Sequence, residues 1–364
     1  MPLTTEPQQH EAPRIRLTLS PQAERYARRD APRDVRLMAA RGALPLPPVE
    51  LATVLFALMH DPDAEVKTVA RESLEALPDA VCEPVLSGPV HPAILSHLAR
   101  AFRDREDRVE RIALNPAADD ATLGFLASLP CKRVVDIVSN NQERMLRAPE
   151  IVEALGSNPL TGRSVIERIL TFMDTQGAGA PAAADGSVSD AQAEAALRAV
   201  LGEELGHFAR ELVTESGETT GKAMTGEITN LYAVIQKMSV YQKIKLARLG
   251  NREARGLLVR DRNKVVAVAA ITSPQITENE IVTIAKSRNV SDEVLRLLAQ
   301  NRQWTRTYQV KQALAANPKT PQPLAMGFVG QLYDSDLLTL MKSRDIPSVI
   351  STHARRMLMQ RGKL

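Results

Sequence analysis

Landmarks in this sequence recur at a spacing of about 43 residues. A chain patterned in that way is built to fold as stacked copies of one small unit. Asp61 stands 43 residues before Asp104, and in that frame Val66 matches Val109, Val69 matches Ile112 and Ala70 matches Ala113. Asn115-Pro116 stands 43 before Asn158-Pro159, and Ser273-Pro274 stands 44 before Asn317-Pro318. A longer duplication lies over this one. Arg103-Asp104-Arg105 returns as Arg260-Asp261-Arg262, Asn141 as Asn301, and ALGSNPLT (154–161) as ALAANPKT (313–320). Residues 98–170 therefore read as a copy of 255–329.

The unit is helical. Ile281, Ile284 and Ala285 share one helical face, as do Val294, Leu297 and Leu298, and then Val310 and Leu314. Thr277 with Glu280 reads as a capping box. Ser291 ahead of Asp292 and Glu293 reads as a helix start, and Thr320-Pro321 and Pro347 mark two more. Starts fall about every 14 residues, so each helix is too short to be stable without its neighbours. Aromatic residues make up only 3% of the chain, which leaves Leu, Ile, Val and Ala to fill the cores. No segment alternates with the period of a strand. The expected fold class is all-α.

An Asp at the turn, followed by Val and Ala at helical spacing, in a unit of about 43 residues, resembles the HEAT and armadillo-like class of helical repeats. The Asn-Pro turns look like those of degenerate bacterial variants of these repeats. The resemblance spans roughly residues 33–171 and 228–361 and implies an α-solenoid in two arrays. The proline of the first helix and the basic residue of the second, common in HEAT units, occur here only sporadically.

The organisation that follows has four parts. Residues 1–32 are a polar, disordered tail and lead-in, and 33–171 form a first, acidic array. Residues 172–227 are a linker carrying one amphipathic helix over 191–213. Residues 228–364 form a second, basic array. Within the linker, 173–190 (DTQGAGAPAAADGSVSDA) has the composition of a flexible spacer.

Chemical motifs are few. Gly217-Glu-Thr-Thr-Gly221-Lys222-Ala223 resembles a phosphate-binding loop, but it is one residue short, and Ala223 replaces the hydroxyl that holds magnesium. It reads as a polar hinge. The six histidines, including His60 beside Asp61, form no metal-ligand spacing. No nucleophile elbow or Cys–His signature appears. Cys82 and Cys131 read as buried free thiols, which suits a reducing, cytoplasmic location. The segment MPLTTEPQQHEAPR has no secretory pattern, and no apolar run reaches membrane-spanning length. The expectation is a non-enzyme with no cofactor, no metal and no small-molecule substrate.

Charge is the strongest functional signal. Residues 222–364 hold 23 Lys and Arg against 10 Asp and Glu, whereas 1–221 hold 23 against 33. Lys243, Lys245, Arg248, Arg252, Arg255, Arg260, Arg262 and Lys264 fall in one short run. Arg302, Arg306 and Lys311 follow, with Trp304 and Tyr308 among them. Stacked repeats align equivalent positions into strips, so these residues are the candidate surface. Trp304, the lone tryptophan, reads as a core anchor or as an exposed anchor for a partner. The expected function is a scaffold or adaptor for protein partners, with the basic array taking an acidic segment. Duplex nucleic acid and an anionic membrane surface are the alternatives.

Overall fold

The computed structural model describes residues 15–176, 189–214, 224–343 and 345–363. Within them the chain folds into 24 α-helices and two short 3-10 turns, with no strand. Among these residues no helix is long and apolar enough to cross a membrane. Of the spacer expected over 173–190, residues 173–176 end helix Arg163–Gln176 and Asp190 opens the next helix, while 177–188 and the loop-like Gly217–Ala223 motif lie outside the described residues.

The helices start where local chemistry places them. Asp63 accepts from the backbone N–H groups of Glu65 and Val66 and so begins helix Ala64–Glu75. Thr277 and Glu280 close a reciprocal capping box on helix Glu278–Lys286, and Ser291 caps Asp292–Gln300. Pro48 and Pro92 occupy the first turn of their helices, where a missing N–H costs nothing. The aliphatic faces read from the sequence are buried: Ile281, Ile284 and Ala285, then Val294, Leu297 and Leu298, then Val310 and Leu314. Cys82 and Cys131 are free and buried. Burial pushes the Cys82 thiol above its usual range, which makes it a packing residue rather than a nucleophile.

Contacts divide the chain into two compact units, Met1–Arg144 and Met145–Leu364. In the first, most helices pack on the one two places along. Arg33–Ala40 lies on Ala64–Glu75, and Asp79–Ser87 lies on Glu106–Leu114, which lies on Lys132–Asn140. His60 makes a structural contact at its turn, its Nδ1 lying 3.2 Å from the Phe56 carbonyl.

The second unit is organised around helix Lys264–Ile271, in which Val265 through Ile271 are all buried. A helix apolar on every side must be covered on every side. Helices Val240–Leu249 and Asp292–Gln300 flank it, and Pro149–Ser157 and Arg163–Gln176 also pack on it. Gly156 makes the approach of Pro149–Ser157 possible, since a Cβ there would sit 1.9 Å from the Asn263 side chain. Residues 145–171, expected in the first array, thus belong with the second unit. The boundary falls at 144/145 because apolar faces of 149–173 are buried and their helices pack on 240–271.

Two other expectations are revised. Helix Pro21–Ala27 sits inside the supposed tail, capped by the Ser20 hydroxyl. The amphipathic helix over 191–213 is broken: Gly202 adopts φ 70°, ψ −168°, so the chain forms Asp190–Leu205, a 3-10 turn and Ala209–Val213. That backbone conformation is one glycine reaches without penalty.

Candidate functional site

The surface is set by how helix ends are tied together. Asn115 follows helix Glu106–Leu114, and its Nδ2 donates to the carbonyls of Leu86 (2.7 Å) and Gly88 (3.0 Å), at the end of the helix two places earlier. Asn317 does the same to Ala285 (2.8 Å) and Ser287 (2.9 Å). Ser273 donates to the Arg248 carbonyl (3.3 Å). The last carbonyls of a helix have no partner within it; here the helix two places along supplies one. In these three pairs the two helices end side by side. In the second unit the turns at 250–251, 272–277 and 301–307 share one edge, and those at 259–263 and 287–291 share the other.

Arginines tie turns in a second way. Arg144 donates to the carbonyls of Ala118 and Pro116 and to the Asp120 carboxylate. Arg361 repeats the arrangement on Leu332 (2.9 Å), Gly330 (3.0 Å) and Asp334 (2.7 Å). Arg108 holds Asp79 at 2.6 Å and keeps that carboxyl below its ordinary range. Arg36 pairs with Asp61 and with the Ala31 carbonyl. The sequence offered no local signal for these clamps, because their carboxylate partners lie 24–29 residues away.

Against this background the thirteen candidate residues separate into two groups. One group holds the fold. Arg255 is buried and pairs through both Nε and Nη2 with Glu280 at 3.1 and 3.2 Å, while Nη1 donates to the Gly250 carbonyl at 2.7 Å. Lys243 pairs with Asp261 at 3.0 Å. Lys264 reaches the carbonyls of Asn158 and Pro159, at 3.3 and 3.2 Å. Arg248 donates to the Thr272 carbonyl at 3.1 Å. Tyr308 donates to Asp336, accepts from the Tyr333 N–H at 3.0 Å and stacks on the Tyr333 ring. Burial and the Asp336 carboxylate push its phenol above the usual range. Lys245 lies 6.0 Å from the centre of the Tyr241 ring.

The other group faces water. Arg252, Arg260, Arg262, Arg302 and Arg306 are exposed and meet no partner among the described residues. Lys311 is half-buried, and so is Trp304, at the start of a 3-10 turn and outside the core. Edge geometry parts these groups: Arg260 and Arg262 sit at the 259–263 turn, and Arg302 and Arg306 at the opposite edge. Arg252 and Arg260 line one groove between helices Arg252–Leu258 and Glu278–Lys286. The basic run is thus not a single strip of free charge. Among the described residues no group of His, Cys, Asp or Glu is arranged to hold a metal. No family model matches the chain, and no curated protein or solved structure matches it.

Proposed function

We propose that the protein is a non-enzymatic adaptor of α-solenoid type whose second unit binds an acidic segment of a protein partner. The observation that carries this reading is the division of the basic residues. Arginines that the fold uses are clamped to carboxylates and carbonyls, whereas Arg252, Arg260, Arg262, Arg302 and Arg306 are exposed and unpaired. An exposed arginine that meets nothing in its own chain contributes little to folding and is available to another molecule.

The solenoid part of the reading is supported by the packing of alternate helices and by the Asn and Ser side chains that bridge their ends. Those bridges span 25–32 residues, which fits a two-helix step. The 43-residue spacing of the sequence then covers three helices, or one and a half steps. The nucleic-acid and membrane alternatives have weaker support. Both depend on many cations converging, and here the free arginines sit on two opposite edges.

The test is capture of cross-linked partners by the full chain in a cell extract, with the five arginines intact or changed to Glu. Loss in the variant of proteins carrying acidic segments is the expected result. Identical capture by both forms contradicts the reading. A salt-sensitive shift of duplex DNA by the intact chain, with no protein lost in the variant, favours nucleic acid instead.

A further inference from the structure

The groove between helix Arg252–Leu258 and helix Glu278–Lys286 combines an apolar floor with a free cation towards either end. Its floor includes Val259, Ile284 and Val290, which are buried. One wall is opened by Gly256: a Cβ placed there meets nothing within 4 Å. The opening measures about 70 Å³. That is roughly half the size of a cavity that accepts benzene, so it suits one aliphatic side chain of three or four carbons. The Arg255–Glu280 pair beneath is neutralised internally. Arg252 and Arg260, exposed and unpaired, set the charge of the groove.

Resting on the adaptor reading above, we infer that this groove receives an extended acidic peptide that seats one aliphatic side chain between two carboxylates. The spacing supports this. Arg252 opens helix Arg252–Leu258 and Arg260 lies in the turn two residues beyond its end, so the two are separated by about 12 Å along the axis, taking about 1.5 Å per residue through the turn. An extended chain advances about 3.3 Å per residue, so acids four residues apart span nearly the same distance. The motif is Glu/Asp-x-aliphatic-x-Glu/Asp. A phosphate backbone is a poorer occupant, because two cations neutralise little of its charge and an apolar floor gives it nothing.

The test uses the full chain against a displayed library of nonapeptides with a fixed centre of Glu-x-(Val/Leu/Ile)-x-Glu. Enriched peptides are then measured by fluorescence anisotropy. Arg252→Glu with Arg260→Glu is expected to weaken binding by about tenfold or more. Gly256→Leu, which fills the groove, is expected to do the same. That variant keeps its fold, because the space is open and Leu is the better helix former; an unfolding midpoint at or above that of the parent checks this. The arginine pair, being on the surface, carries the test if Gly256→Leu loses structure. Arg302→Glu with Arg306→Glu is expected to bind like the parent.

Failure of this library to yield any peptide that the parent chain retains overturns the inference, as does undiminished binding by a folded Gly256→Leu. If the 302/306 variant loses acidic peptides while the groove variants retain them, the groove is overturned and the acidic-partner reading stands. If the five-arginine variant also captures its cellular partners unchanged, that reading falls with it.

Discussion

In the first unit Arg36, Arg108 and Arg144 each leave one helix and clamp the turn that opens another, ending on Asp61, Asp79 and Asp120. In the second unit Arg255 and Arg361 do the same on Glu280 and Asp334, but Arg252, Arg260, Arg262, Arg302 and Arg306 do not. The grooves between helices differ in the same sense. One in the first unit is lined by Asp107, Glu110, Arg111 and the exposed Leu114; that between Arg252–Leu258 and Glu278–Lys286 carries Arg252 and Arg260. A similar packing of alternate helices thus supports two grooves that differ in charge: acids and an arginine paired within the chain in the first, two exposed arginines in the second. Net charge could not separate them, since a clamping arginine and a free one count alike.

The comparison breaks first at the buried pair. Glu280→Gln leaves Arg255 with an uncompensated charge in the interior and is expected to cost about 3–5 kcal/mol. Denaturant unfolding checks this, and a loss below 1 kcal/mol would place Arg255 with the free arginines. Next is Gly156→Ala, which drives a Cβ into the Asn263 side chain and is expected to cost about 1–3 kcal/mol by overpacking. The equivalent position in the duplicated copy, Ala315, is already alanine and buried. Ala315→Gly is expected to cost only about 1 kcal/mol as a helix defect, so the two swaps distinguish close approach from duplication.

Asn115→Ala and Asn317→Ala each strip two carbonyls of their donor. Each is expected to cost about 1–3 kcal/mol, by the same measurement and equally in both units. A marked inequality would mean that the end-to-end bridges are not a shared device.

A smaller effect is specific to the first unit. His97 is partly buried beside Glu75 at 3.0 Å. Burial outweighs the carboxylate and lowers its pKa. The unfolded chain then takes up a proton near pH 6.5 that the folded chain refuses until lower pH. The stability held by the neutral ring is complete above about pH 6.5 and declines below it. Unfolding midpoints from pH 7.5 down to 5 are expected to fall less steeply in His97→Gln than in the parent; parallel curves would remove His97 from the account.

The fold was largely legible because its signals are local. The faces at Ile281, Ile284 and Ala285, the Thr277–Glu280 box and the turn-ending asparagines all speak within a few residues. Legibility failed where partners are distant in sequence. Nothing near Arg255 announces Glu280, and nothing near Gly156 announces Asn263, so the unit boundary and the buried pair were both missed. The basic run could be read from the sequence, but the separation of its residues into clamps and free ends depends on which turn shares an edge with which.

The smallest expected change in stability belongs to the five free arginines, and there the central claim is tested most directly. The full chain with Arg252, Arg260, Arg262, Arg302 and Arg306 changed to Glu should be unfolded in denaturant and titrated with a fluorescent acidic peptide from the same preparation. An unfolding midpoint like the parent's, together with loss of peptide binding, is the expected result. A destabilised chain, or one that binds as the parent does, would contradict the claim that these arginines serve a partner and not the fold.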